Sequence, residues 1–84
     1  MIPEIREASY EGEYVIRMVF NDGASGCVNL VDELHGEVFE PLKDVSYFRQ
    51  FKIHPDFKTL VWPNGADFAP EYLHDLVLGV SAAA

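Results

Sequence analysis

Carboxylate, imidazole and indole side chains gather between Trp62 and Leu76, in the stretch WPNGADFAPEYLHDL. If a helix begins at Asp67, then Asp67 and Glu71 lie one turn apart and present both carboxylates on one surface. Such a pair could serve as a general acid and base. The same acids could instead be structural, with Asp67 capping backbone N–H groups and Glu71 stabilising the helix N-terminus. We favour the structural interpretation, because no nucleophile, metal triad or phosphate loop accompanies the pair.

The residues that open this stretch carry a strong turn signal. Pro63 fixes φ, Asn64 tolerates the bridge or left-handed region, and Gly65 accepts positive φ. We predict that Trp62 is a core or rim aromatic, although an exposed indole would be a natural anchor for a partner protein. The candidate partner surface therefore comprises Trp62, Asn64, Gly65, Asp67 and Glu71.

The remaining residues with reactive side chains do not combine into a recognisable site. His35, His54, His74 and Cys27 are widely spaced and lack the paired spacing of a zinc site. Cys27 falls in the middle of a predicted strand, where a small residue is typical of a packed core or sheet position. We therefore predict no catalytic residue, no metal site and no cofactor.

Composition narrows the class of protein. With 84 residues the chain is expected to form one domain, residues 1–84, in which 79–84 are a frayed tail. Fourteen acids against six bases give a net charge of −8, which disfavours direct nucleic-acid binding and could steer association with a basic protein. No apolar run is long enough for a membrane helix, and a single cysteine agrees with a reducing compartment. We expect a cytoplasmic protein without membrane contact.

Three strands are predicted in the first third of the chain, over about residues 4–10, 14–20 and 25–30, because Gly-containing turn signals separate them. The second strand alternates so that one face is wholly apolar, formed by Tyr14, Ile16, Met18 and Phe20. The first strand is polar and follows a proline, which is typical of an edge strand. Pairing of that edge with its copy would give a homodimer.

The rest of the chain predicts short elements that close over this meander. Asn29 or Asp32 is expected to cap a turn of helix that ends near Gly36, and Asp44 a second one. In the second short helix we expect Phe48 to point inward. Phe51 is expected to point inward with it, before a hairpin around Pro55, Asp56 and Phe57.

The last predicted element is a C-terminal helix with Pro70 in its first turn and Gly79 at its end. Its apolar face follows helical spacing through Leu73, Leu76, Val77 and Val80. Together the elements predict an α+β fold. In it, the meander and the second hairpin form one sheet, which a short helix and the C-terminal helix pack against.

A set of motifs makes the chain resemble a known family. These are Phe20-x-Asp22-Gly23, Asn29-Leu30, Phe39-x-Pro41-Leu42, Phe48 and Trp62-Pro63-Asn64-Gly65-x-Asp67-x-x-Pro70-Glu71-x-Leu73. From about residue 5 to 76 the chain resembles the bacterial family catalogued as domain of unknown function 2442. The resemblance implies a small α+β domain without an established activity. Members are described beside a second small protein in arrangements like toxin–antitoxin pairs, and some relatives carry an added helix-turn-helix domain.

The chain departs from the family pattern at Asn29, where Asp is common, and shows no DNA-binding extension. A transcriptional role would therefore need a partner to supply the DNA contacts. Our leading hypothesis is a non-enzymatic protein-interaction domain, the antitoxin-like subunit of a two-protein system that binds a small basic protein. The alternative is a small-ligand binder or an enzyme that uses Asp67 and Glu71, with His74, at a helix N-terminus.

Overall fold

The computed structural model describes residues 2–79. Along the chain it contains β1 (Ile5–Gly12), β2 (Val15–Phe20), β3 (Ser25–Asn29), a first 3₁₀ turn (Val31–Glu33), a second 3₁₀ turn (Glu40–Lys43), α1 (Val45–Phe48), β4 (Lys52–Ile53), β5 (Leu60–Val61) and α2 (Pro70–Val77). This architecture confirms the predicted α+β class. The frayed tail was predicted for residues 79–84, and of these residues only Gly79 is described. Val80 of the predicted apolar face lies outside the described residues.

β1, β2 and β3 form an antiparallel meander in that order, with β2 in the centre. The register places Met18 opposite Ala8 on one side and opposite Gly26 on the other. The alternation of β2 buries Ile16, Met18 and Phe20 as predicted. Tyr14 precedes β2 and is only partly buried, and its hydroxyl donates a hydrogen bond to the carbonyl of Lys43.

The second hairpin does not join this sheet, so the prediction of one continuous sheet is wrong. β4 and β5 form a separate two-stranded sheet, in which Lys52 faces Val61. The link to β1 is a backbone hydrogen bond of 2.9 Å from the N–H of Ile5 to the carbonyl of Lys58, in the hairpin loop. Between Ile5 and Glu7 the register of β1 with β2 shifts. Such a bulge bends a strand and locally interrupts its pairing.

Of the two predicted caps, only the one on α1 is present. The first 3₁₀ turn has Leu30 as its N-cap residue and no side-chain cap, so the expected cap by Asn29 or Asp32 is wrong, although Asn29 Oδ1 accepts a hydrogen bond of 3.0 Å from the N–H of Val31. Asp44 caps α1 by accepting from the N–H of Ser46 at 2.9 Å, as predicted. Phe48 of α1 is fully buried, in agreement with its expected inward position.

α2 closes the core against the meander. Leu73 is fully buried. Val77 packs close to Gly26 of β3, so that a β-carbon added to Gly26 would be in van der Waals contact with the Val77 side chain. The helix ends at Val77, and Gly79 follows with φ of 79°, the positive-φ glycine expected after a helix. No helix within residues 2–79 has the length and apolarity needed to cross a membrane.

Candidate functional site

The Trp62–Gly65 turn is held by hydrogen bonds within itself and to a distant segment. The N–H of Gly65 donates to the carbonyl of Trp62, and the N–H of Trp62 donates to that of Ala66, each at 2.9 Å. Asn64 uses both ends of its amide, since Oδ1 accepts from the N–H of Ala66 (3.0 Å) and Nδ2 donates to the carbonyl of Val38 (2.8 Å). Asn64 and Gly65 therefore shape the turn and tie it to the loop that contains Val38.

Trp62 lies in the core, with 2% of its surface exposed. Its indole N–H donates to the carbonyl of Phe48 at 2.8 Å. Its ring packs against Phe48 and Phe68, with ring centroids 5.8 Å apart in both pairs. The predicted core position is confirmed, and the alternative of an exposed indole that anchors a partner is wrong.

Asp67 and Glu71 do not share a helical face, contrary to the expectation. α2 begins at Pro70, with Ala69 as N-cap residue, and no side chain caps its N-terminus. A residue before proline is disfavoured in the helical region, and Ala69 accordingly has ψ of 133°, so the helix cannot extend back to Asp67. The expected capping role of Asp67 is therefore wrong. Glu71 lies in the first turn of α2, where its charge complements the helix dipole.

Asp67 instead lines a groove of about 460 Å³ beside the start of α2. Its walls are formed by Ile2, Phe57, Thr59, Phe68, Ala69 and Pro70 together with Asp67, and we call it the Asp67 groove. Ile2 and Phe57 are 69% and 68% exposed, the highest values among the large hydrophobic side chains described. Asp67 supplies the one charged side chain of this lining.

The loop between β4 and β5 positions Phe57 in the Asp67 groove. His54 Nδ1 accepts hydrogen bonds from the N–H groups of Asp56 (3.0 Å) and Phe57 (3.1 Å). The imidazole also packs on the Phe57 ring, with centroids 4.6 Å apart. Lys58 follows with φ of 54°, which turns the chain back toward β5. His54, considered as a metal ligand from sequence, therefore organises this loop.

Side chains from two other elements fix the rest of the groove. Asn21 holds the N-terminal segment, because its Oδ1 accepts from the N–H of Glu4 at 3.0 Å and its Nδ2 donates to the carbonyl of Ile2 at 3.4 Å. The buried hydroxyl of Thr59 donates to the carbonyl of Phe68 at 2.6 Å. The walls are thus held by specific contacts from the β2–β3 turn and from the residue before β5.

The remaining sequence candidates are dispersed. His74 Nε2 contacts Asp22 Oδ2 at 2.7 Å, and the pKa of Asp22 is lowered first by the backbone N–H of Ala24 and then by His74. Cys27 lies in β3 as predicted, but its side chain is exposed. Within residues 2–79, His, Cys, Asp and Glu side chains form no group of three or more able to hold a metal ion.

One further contact of α2 was not expected from the sequence. The Tyr72 hydroxyl donates to Glu33 Oε1 at 2.6 Å and fastens the helix to the first 3₁₀ turn. The carboxylate raises the pKa of the Tyr72 phenol, because the hydrogen bond and the nearby negative charge favour the protonated form. A tyrosine and a glutamate far apart in the chain give no sequence signal of such a pair.

Of the five candidate surface residues, only Asp67 reaches the groove. Trp62 is buried, and Asn64 and Gly65 are exposed residues of the turn. The wall residues Ile2 and Phe57 were missed because isolated apolar residues in loops are common, and only the folded chain brings these two together.

Comparisons with known proteins give one match. The model of a family described as protein of unknown function, DUF2442, matches residues 5–78, which span β1 to α2. Searches of curated proteins and of solved structures found no match.

Proposed function

The chain belongs to the DUF2442 family, and from this premise we propose that it is a non-enzymatic protein-interaction domain whose Asp67 groove binds a partner with basic residues. The observation that carries the proposal is the location of Ile2 and Phe57. The two most exposed large hydrophobic side chains described line the same groove. Clustered exposed apolar side chains rimmed by polar groups are typical of interaction sites.

The negative charge of Asp67 in the groove favours a partner with a basic side chain. The ion pairs found within residues 2–79 join Lys43 to Glu40 and His74 to Asp22, so in this part of the chain Asp67 has no cationic partner. A lysine or arginine of a bound protein would supply one, next to apolar contacts with Phe57 and Ile2. The overall charge of −8 would also accelerate encounter with a basic protein at low ionic strength.

In its finer form, the proposal makes the chain the acidic, antitoxin-like subunit of a two-protein system, with a small basic protein as partner. The interaction would occur in the cytoplasm, which agrees with the free, exposed thiol of Cys27. The alternative of catalysis by Asp67 with Glu71 loses the shared helical face on which it was based, because Asp67 precedes the helix that contains Glu71.

The test is a pull-down of tagged protein from native lysate at low and at moderate salt, with wild type and two variants. Phe57→Ser removes an exposed ring from the groove, whereas Leu78→Ser removes an apolar side chain that is 56% exposed beyond the end of α2. We expect wild type and Leu78→Ser to recover the same small basic protein, and Phe57→Ser to lose it. Recovery of nothing by wild type, or equal recovery by all three, would refute the proposal.

The same purified wild-type protein should be followed through a dilution series by light scattering. β1 is an edge strand of the meander, and its pairing with a copy was the competing expectation for a partner. A dimer that survives Phe57→Ser would assign association to an edge strand and not to the Asp67 groove.

A further inference from the structure

The side chain of Asp67 lies on the face of its segment that borders the groove. Asp67 and Val61 face each other in an isolated antiparallel bridge. Residues directly opposite each other in such a pair project to the same face, and side chains alternate between the two faces along each segment. Thr59 and Ala69 lie two residues from this bridge, so they share its face, and both line the groove. Phe68, between Asp67 and Ala69, has the opposite orientation and is buried.

The ring of Phe57 is open to the groove on a side that His54 does not cover. The imidazole packs on the ring with centroids 4.6 Å apart and planes inclined by 31°. His54 is absent from the described residues that form the groove walls, whereas Phe57 is one of them. The part of the ring that borders the groove is therefore not the part under the imidazole. With 68% of its surface exposed, Phe57 leaves aromatic surface available to a ligand.

A carboxylate and an open aromatic ring in one apolar groove suit a guanidinium group. Neither ion pair in the part of the chain that the structure describes includes Asp67. A guanidinium is planar, forms paired hydrogen bonds with a carboxylate and stacks on aromatic rings. A lysine ammonium is a more strongly hydrated point charge, so its entry into an apolar groove is less favourable. The methylene groups of an arginine also pack well against apolar walls.

We infer that the partner inserts the side chain of an arginine into the Asp67 groove. The guanidinium pairs with the carboxylate of Asp67 and stacks on the ring of Phe57, while the methylene groups contact Ile2 and Pro70. This inference rests on the proposed function and names the side chain that the groove recognises. Recognition then requires positive charge and planar shape in the same group.

The experiment titrates single capped amino acids into the full chain at constant ionic strength and follows the amide and aromatic signals by NMR. The probes are the N-acetyl amides of arginine, lysine, citrulline and leucine. Citrulline keeps the shape of arginine without its charge, and leucine tests for simple apolar binding. We expect the arginine probe to give saturable shifts of the Asp67 and Phe57 signals, with a dissociation constant at least about threefold lower than that of the lysine probe. Citrulline and leucine should bind more weakly than lysine.

Three variants locate the site of binding. Asp67→Asn removes the charge, and Phe57→Leu removes the ring while keeping an apolar side chain. Each should raise the dissociation constant of the arginine probe by at least about threefold. Leu78→Ser, outside the groove, is the control and should change it by less than about twofold. The amide spectrum of each variant shows directly whether its fold is intact.

Several results would overturn the inference. They are no saturable shift in the groove with the arginine probe, equal affinity of any other probe, and an unchanged arginine affinity in Phe57→Leu or Asp67→Asn. Groove signals that depend on protein concentration alone would identify a second copy as occupant and would overturn it as well. The pull-down with Phe57→Ser tests the proposed function separately. If that pull-down succeeds and the arginine probe fails, the groove is an interaction site whose anchor is not an arginine.

Discussion

At the scale of single residues, Asn64 keeps the turn position that the sequence predicted, whereas Asp67 does not have the predicted capping role. Asn64 was expected to tolerate the backbone conformation of a turn, and in the structure its side chain also accepts from the N–H of Ala66 and donates to the carbonyl of Val38. Asp67 was expected to cap a helix, and its carboxylate instead lines a groove. Motif residues close together in sequence thus include Asn64, which holds the turn, and Asp67, which lines the groove.

This difference predicts unequal effects of the two substitutions on the free energy of unfolding. Asn64→Ala removes both amide hydrogen bonds and should lower the free energy of unfolding by about 1–2 kcal/mol. Asp67→Asn should change it by less than about 0.5 kcal/mol, as expected for a surface residue without a structural partner. Urea unfolding followed by the fluorescence of the single tryptophan, Trp62, measures both. A loss of about 1 kcal/mol in Asp67→Asn would restore a capping role.

At the scale of elements, the contact between α2 and the β2–β3 turn carries a pH dependence. Asp22 accepts from the N–H of Ala24 and contacts His74, and these interactions hold the pKa of its carboxyl below the usual value for an aspartate. A carboxylate with a lowered pKa in the folded state contributes stability above its unfolded pKa, and this contribution is lost as the pH falls through the folded pKa. Stability should therefore decrease below about pH 4 partly because Asp22 becomes protonated.

The variant Asp22→Asn isolates this contribution from the other carboxylates. It should be less stable than wild type at neutral pH, and the difference should shrink as the pH falls below about 4. Urea unfolding of both proteins at several pH values is the measurement, and Glu7→Gln on the exposed face of β1 is a matched control. If the difference in the free energy of unfolding between wild type and Asp22→Asn stays constant at all pH values, the assignment to Asp22 is contradicted.

The elements also show how far the sequence predicts the fold. Alternation in β2 and the cap at Asp44 are local signals, and the structure confirms them. The separation into two sheets is a tertiary feature without a local signature, and β1 meets the second hairpin through the hydrogen bond from Ile5 to Lys58. The sequence also contained the signal for the correct start of α2. Pro70 disfavours the helical conformation of Ala69, and this effect can be read from the sequence alone.

At the scale of the whole molecule, the surface combines a strongly acidic character with one groove that exposes Ile2 and Phe57. The net charge can be counted directly from the sequence, and the basic partner inferred from it stays a prediction. The sequence did not predict the groove, since the wall residues come from the N-terminal segment, the β4–β5 loop and the start of α2. Family membership does not identify a partner, so the proposed choice of partner rests on the chemistry of this surface.

Electrostatic attraction to the partner should depend on salt in a way that involves Asp67. Raising ionic strength should slow association of the wild-type chain with its captured partner, because screening shortens the range of its net charge of −8. Asp67→Asn should bind more weakly at low salt and show a smaller salt dependence, since it removes the acid within the groove. Surface-immobilised kinetics at several salt concentrations give both quantities. Equal salt dependence of the two proteins would exclude Asp67 from the contact.

The most direct test of the groove as a partner site is the dissociation constant of the captured partner for wild type, Phe57→Ser and Leu78→Ser, measured by titration calorimetry. Phe57 and Leu78 are both exposed, and only Phe57 lines the Asp67 groove. We predict that Phe57→Ser raises the dissociation constant by at least about tenfold, while Leu78→Ser changes it by less than about twofold. Equal dissociation constants for all three proteins, or equal weakening by both variants, would contradict binding in the groove.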